Sequence, residues 1–257
     1  MATGSKVHKA MVLAAGKGTR LGPLTLATPK VLLPVGSAGP LIGYTISWLK
    51  NHGINEVAIN LHHMGDKIKE FLGDGSRFGV KVFYSLEETL LGTAGALKRL
   101  EHFFDGTFVV VYGDVFTDFN LSDMIRFHRE RKALATLAVL EVGSRRDVGI
   151  VKMNDERRVR SFIEKPSSGS TPNNLASGGV YVLEREIMDY VPGERFTDFA
   201  YDVLPRLIED NMPIYGYILK TTDYLVDIGT VNRYSKAVAD VRAGKVKTRY
   251  EDPGCIC

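Results

Sequence analysis

Short apolar runs of strand length alternate with stretches of helical period along almost the whole chain, and few folds accommodate that pattern. Lys9–Ala14 is apolar and closed by glycine, as a buried strand is. Leu41, Thr45, Trp48 and Leu49 recur at helical spacing and stop at His52-Gly53, a helix with a glycine at its C-terminus. Glu56–Leu61 and Val80–Ser85 read as strands around a helix over Asp66–Leu72, and a further helix starts near Gly95–Leu100. Phe108–Tyr112 is apolar on both faces, which suits a central strand of a parallel sheet. A helix over Leu121–Arg131 and a strand over Ala135–Val142 continue the alternation.

The middle of the chain changes character. Gly149–Met153 and Val159–Ile163 flank the turn cluster Asn154-Asp155-Glu156 and predict a hairpin. A polar loop at Ser167–Asn174 precedes a strand at Gly179–Leu183. Helices at Phe199–Glu209 and Val231–Arg242 bracket strands near Ile214–Leu219 and Tyr224–Ile228. Short connections between alternating strands and helices predict an open, mostly parallel α/β sheet with helices on both faces, of Rossmann-like kind, plus a small hairpin excursion. The expected layout is a tail over 1–8, one domain over 9–243 and a tail over 244–257, with no internal repeat. Sheets of this kind bind ligands at the carboxyl ends of their strands, so the loops after Ala14, Tyr112, Ile163 and Val226 carry the chemistry.

Composition narrows the function classes. With 257 residues, 33 Lys and Arg against 30 Asp and Glu give a net charge of +3, too weak a bias for a nucleic-acid binder. The basic clusters Arg145-Arg146 and Arg157-Arg158-Val159-Arg160 read as turns, since no row of aromatics interleaves with them. No apolar run approaches the roughly 20 residues that cross a bilayer, so no membrane association is expected. Both cysteines, Cys255 and Cys257, lie in the last three residues, where they staple no core; a cytoplasmic location is the simple expectation. His62 and His63 are adjacent and point apart on an extended chain, a poor metal pair.

The loop Ala14-Ala15-Gly16-Lys17-Gly18-Thr19-Arg20 follows the first strand directly, and its glycines let backbone amides approach a polyphosphate. A dinucleotide G-x-G-x-x-G pattern fails because Leu21 stands where the third glycine belongs, and no Walker spacing exists. Arg20 offers a fork to phosphate oxygens and Lys30 a point charge. Asp114 follows one apolar strand and Asp227 ends another, so the two carboxylates can converge on one oxygen-ligated Mg²⁺. Either aspartate alone would pass for a turn residue. Asp118 reads as the cap of the Leu121 helix.

Taken together, Gly16–Thr25, Pro29-Lys30-Val31-Leu32-Leu33-Pro34, Leu91-Gly92-Thr93-Ala94-Gly95, Gly113-Asp114, Glu164-Lys165-Pro166, Gly178-Gly179-Val180-Tyr181 and Asp227-Ile228-Gly229-Thr230 closely resemble the motifs of the sugar-1-phosphate nucleotidyltransferases. The resemblance runs from about Lys9 to about Ala243. It implies an enzyme using one Mg²⁺, in which a sugar-1-phosphate displaces pyrophosphate from a nucleoside triphosphate. Both partners are anions, so catalysis is expected to rest on positioning and charge neutralisation, with no protonatable general base.

The resemblance implies catalytic roles for Arg20 at the departing pyrophosphate, Lys30 at the α-phosphate and Lys165 at the sugar phosphate. It places Ala14, Ala15, Gly16, Gly18, Thr19, Arg20, Glu88, Gly92, Thr93, Ala94, Gly95 and Gly113 at the nucleotide. Gly149, Glu164, Lys165, Ser177 and Gly178 fall at the sugar phosphate, and Asp114 and Asp227 at the metal. The stretch Glu87–Gly95 is most similar to mannose-1-phosphate guanylyltransferases, implying GTP with mannose-1-phosphate or a manno-configured heptose phosphate. The small residues 92–95 leave room for a purine, and Glu87 or Glu88 could accept the guanine N–H donors. Uridylyl or thymidylyl transfer to another hexose phosphate, or a silent regulatory subunit that binds nucleotide sugars, are the alternatives. Self-association into a homo-oligomer is left open by the sequence. Leu90, Leu225, Val231 and Ser177 stand where the family often has proline, tryptophan, proline and asparagine. No appended β-helix domain is expected.

Overall fold

The computed structural model describes residues 6–36, 39–142, 147–165, 175–193 and 195–247. Arg145, Arg146, Pro166, the loop over 167–174 and both cysteines lie outside them. The chain forms a mixed, mostly parallel sheet with helices, divided into two compact units.

The described residues of the glycine-loop unit are 8–36, 39–89, 111–121 and 221–247. Its strands β1 (Lys9–Leu13), β2 (Glu56–Leu61) and β3 (Lys81–Leu86) pair in parallel, Lys9 opposite Glu56 and Glu56 opposite Lys81. Five consecutive residues of β2, Val57–Leu61, are buried, because helices cover both faces of such a sheet. Helix α1 (Leu41–Asn51) buries eight of its residues and stops at His52-Gly53, with Gly53 at φ 85°. Its Trp48 indole donates to the Phe119 carbonyl at 2.9 Å, and Tyr44 meets the Phe116 ring edge-on at 5.1 Å. Helix α2 spans Gly65–Leu72.

The described residues of the hairpin unit are 6–7, 90–110, 122–142, 147–165, 175–193 and 195–220. Strand β4 (Phe108–Tyr112) has its first three residues in this unit and its last two in the other. Helix α3 covers Gly92–Lys98, three residues earlier than the expected start, and α4 covers Leu121–Glu130. Strand β6 (Ala135–Glu141) lies between β10 (Ile214–Ile218), parallel to it, and β9 (Leu175–Leu183), antiparallel. Strands β7 (Gly149–Met153) and β8 (Val159–Glu164) form the expected antiparallel hairpin. The basic cluster there has structural partners: Arg158 donates to the Asn211 carbonyl at 2.6 Å, and Arg157 lies over the Phe127 ring. The helix expected over Phe199–Glu209 opens with a π turn, Phe199–Val203, before α5 (Leu204–Glu209).

One departure matters for the site. The strand expected near Tyr224–Ile228 is β11 (Leu225–Asp227), and it stands outside the main sheet. It pairs antiparallel with a three-residue strand, β5 (Val115–Thr117), that apolar patterning alone does not mark. Helix α6 (Val231–Arg242) follows at once, with Val231 in its first turn, a position where proline also fits.

Candidate active site

In the glycine-loop unit, β1 runs out at Leu13 and the chain turns upward through two buried alanines, Ala14 and Ala15. The Ala14 amide donates to Asn60 Oδ1 at 2.8 Å, and Asn60 Nδ2 donates to Glu87 Oε1 at 2.8 Å. Glu87 is only 2% exposed, so this relay fixes the exit of β1 from behind. Glu88, by contrast, is exposed. Beyond Ala15 the loop opens to solvent at Gly16, Lys17, Thr19 and Arg20. Gly18 adopts φ 69°, a left-handed conformation that glycine reaches without strain. The Thr25 hydroxyl closes the loop by donating to the Gly18 carbonyl at 3.0 Å. Gly113 brings the end of β4 against β1: its amide donates to the Leu13 carbonyl at 2.9 Å. A methyl group on Gly113 would lie 2.6 Å from that oxygen.

The ribbon of β5 and β11 explains how two distant aspartates meet. Asp227 sits opposite Val115, one residue after Asp114, and the Ile228 amide donates to the Asp114 carbonyl at 2.8 Å. Gly229 marks the centre of the cluster. A methyl group placed there would lie 2.9 Å from Arg20 Nη2, 3.0 Å from Asp227 Oδ1 and 3.4 Å from Asp114 Oδ2. Lys30 pairs with Asp114 at 2.7 Å, and Arg233 pairs with Asp227 at 2.8 Å. The 3-10 turn Lys30–Leu32 presents the lysine. Sequence motifs therefore named Arg20, Lys30, Asp114 and Asp227, and the fold places all four around one point. Arg233, Asn60 and Thr25 received no role from the sequence. A fork-shaped cation two residues into a helix is an ordinary surface residue until its partner is known.

Asp118 neither caps α4 nor joins the cluster. Its carboxylate accepts from the Tyr224 amide and the Lys247 amide, each at 2.8 Å, and so ties β5 to the approach of β11. His62 is likewise structural, with Nδ1 2.8 Å from the Glu87 carbonyl.

In the hairpin unit, Gly149 and Glu164 are cross-strand partners. A methyl group on Gly149 would stand 2.7 Å from Glu164 Oε2 and 2.4 Å from the Phe162 ring, so this glycine makes room for the carboxylate. Burial pushes the Glu164 carboxyl above its ordinary range; the Lys165 ammonium opposes that and Asp198 adds to it. Lys165 Nζ lies 3.6 Å from Glu164 Oε1, and the lysine stands at φ 46°, the left-handed region, uncommon for a side-chain-bearing residue. Ser177 Oγ is 3.2 Å from the Tyr181 hydroxyl on β9, next to buried Gly178.

The fold gives the small residues at 92–95 a role that the sequence does not show. Ala94 and Gly95 donate their amides to the Thr197 carbonyl at 2.9 and 3.1 Å, and a methyl group on Gly92 would meet that oxygen at 2.5 Å. The small side chains thus admit the backbone of residues 195–197. Thr93 donates to Asp198 Oδ2 at 3.0 Å and accepts from the Phe199 amide at 2.8 Å, completing the seam.

Two oxygen-donor carboxylates around one point suit a hard divalent cation, with substrate oxygens completing its shell. Among the described residues, no group of three or more His, Cys, Asp or Glu is placed to hold a metal. Nor is any helix there long and apolar enough to cross a membrane.

A family model described as Nucleotidyl transferase matches residues 9–244. The chain belongs to that family. Members of the nucleotidyl transferase family generally use a divalent metal. Relatives include a UTP–glucose-1-phosphate uridylyltransferase from Synechocystis, 34% identical over 93% of this chain and 64% of its own length. A mannose-1-phosphate guanylyltransferase from Mycobacterium tuberculosis is also 34% identical, over 91% of this chain and 65% of its own. The chain thus spans somewhat less than two thirds of these curated relatives. Among solved structures, a provisionally assigned glucose-1-phosphate thymidylyltransferase from Bacillus anthracis superposes with a TM-score of 0.82 at 27% identity, covering 92% of this chain and 96% of that one.

Proposed function

We propose that this chain transfers a nucleotidyl group from a nucleoside triphosphate to a sugar-1-phosphate, releasing pyrophosphate. The observation that carries the reading is the gathering of Asp114, Asp227, Arg20, Lys30 and Arg233 in one unit, three cations against two carboxylates. That surplus of positive charge suits a polyanion whose attacking and leaving groups are themselves anionic. A phosphate oxygen of the sugar attacks the α-phosphorus, the bond to the β-phosphate breaks, and pyrophosphate departs with the electron pair. Asp114 and Asp227 would hold Mg²⁺, which neutralises charge on the phosphates. Arg20 steadies the leaving pyrophosphate and Lys30 the α-phosphate. Lys165 receives the sugar phosphate, and Glu164, Gly149, Ser177 and Gly178 the sugar. The glycine loop, Glu88 and residues 92–95 serve the nucleotide.

GTP is the preferred donor in this reading, with mannose-1-phosphate or a manno-configured heptose phosphate as acceptor. It draws support from the motif around Glu87–Gly95 and from the guanylyltransferase relative. The uridylyltransferase relative, at the same 34% identity, favours a second reading with UTP and glucose-1-phosphate. A panel of GTP, UTP, dTTP, CTP and ATP against both sugar phosphates, read by pyrophosphate release, separates them. GTP should exceed the others in kcat/KM; a tenfold preference for UTP or dTTP would overturn guanylyl transfer. Absence of pyrophosphate release with every pair would overturn the reaction class and favour a silent binding protein.

The cations should divide their labour. Lys165 follows β8, apart in sequence from the glycine loop, so Lys165→Ala should raise KM for the sugar phosphate about tenfold or more while nucleoside triphosphate affinity changes little. Calorimetric titration of the triphosphate into that variant checks it. A collapse of triphosphate affinity would contradict the assignment.

A further inference from the structure

Arg233 has no part in the reading above beyond its charge, yet its geometry is specific. Its Nη2 lies 2.8 Å from Asp227 Oδ1, with only 15% of the arginine side chain exposed. The same carboxylate oxygen accepts the Gly229 amide at 3.2 Å. Lys30 stands on Asp114 in the same way. Each proposed metal ligand therefore already carries a cation of the protein's own.

The ion pair is one of several contacts that fasten α6. The Thr230 hydroxyl caps the helix by accepting the Arg233 amide at 3.4 Å, and the Tyr234 hydroxyl donates to the Pro34 carbonyl at 2.8 Å. Farther along, Asp240 gathers Lys236, Lys245 and the Tyr224 hydroxyl. The helix thus has anchors besides the guanidinium. A guanidinium resting on a carboxylate beside Arg20 has the shape and charge that bind phosphate oxygens.

We infer that Arg233 is an exchangeable phosphate ligand: it neutralises Asp227 while no divalent cation is bound there, and passes to the oxygens of the incoming polyphosphate when one is. The inference rests on the function proposed above. Its logic is charge balance. A guanidinium and a divalent cation at one carboxylate repel each other, and a polyphosphate offers the displaced guanidinium a stronger partner than the one it leaves. Arg233 would thereby weaken binding of the metal alone and strengthen binding of metal and polyphosphate together.

Two probes test this without any turnover: Mn²⁺ alone, followed by loss of its free-ion paramagnetic resonance signal, and inorganic pyrophosphate with Mn²⁺, followed by calorimetry. Arg233→Met should bind Mn²⁺ about three- to tenfold more tightly than the unaltered chain. It should bind pyrophosphate with Mn²⁺ about tenfold more weakly. Unchanged or weaker Mn²⁺ binding, or unchanged pyrophosphate binding, overturns the inference and leaves the proposed function standing. Failure of the unaltered chain to bind either probe overturns both. If Arg233→Met does not fold, Arg233→Lys decides: it keeps the charge and loses the fork. Mn²⁺ affinity should then stay within about twofold while pyrophosphate weakens several-fold, and undiminished pyrophosphate binding would overturn the inference.

Discussion

Asp227→Asn should lower turnover about a hundredfold or more at saturating Mg²⁺, and Asp114→Asn should do the same, as loss of a major electrostatic stabiliser does. The substitution is informative because it is nearly isosteric. An amide oxygen at position 227 can still accept from the Gly229 amide and from Arg233, so the ribbon and the start of α6 keep their hydrogen bonds. What disappears is one negative charge beside Arg20 and Arg233. If the cluster around Gly229 is the metal and phosphate centre, the surplus of cations then lacks the ligand that organises a divalent ion among them. Steady-state kcat over a Mg²⁺ titration measures the effect. Near-normal turnover at saturation would remove Asp227 from the reaction.

Gly92→Ala should destabilise the hairpin unit by about 3 kcal/mol. Two independent penalties combine. Gly92 stands at φ 76°, where an L side chain is strained, and its added methyl would lie 2.5 Å from the Thr197 carbonyl oxygen and 2.9 Å from its carbon. Those atoms are backbone, and they cannot swing aside as a side-chain tip would. The Thr197 carbonyl also accepts from Ala94 and Gly95, so moving it breaks the seam at the start of α3. Thermal unfolding should show a midpoint lowered by about 6–12 °C. A midpoint within 2 °C of the unaltered chain would mean that the seam yields easily.

The sequence displays the sheet better than the site that the sheet supports. Hydrophobic runs mark β2 and β7 to the residue because buried parallel strands and a hairpin arm need uninterrupted or alternating apolar side chains. Three-residue β5 leaves no such trace, and with it the register that sets Asp227 opposite Val115 is invisible. The two aspartates could be named from their motifs; the device that joins them could not. Asp118 shows the same limit. A local rule makes it a helix cap, whereas its partners are the amides of Tyr224 and Lys247, far along the chain. Glycines are legible as special and illegible as to why: Gly92 and Gly95 admit a neighbouring backbone, and Gly149 admits the Glu164 carboxylate.

Lys165 carries a consequence of its own. A lysine at φ 46° holds a conformation that glycine or asparagine would adopt more comfortably, so the folded chain is less stable with it than it could be. Its ammonium eases the burial of Glu164 from an exposed position, a modest return for a strained backbone. Under drift that preserved only solubility and structure, this position would be among the first to relax, and the protein would grow sturdier as it went silent. Retention of the strained lysine in a lineage is then a mark of continued use, readable without any assay.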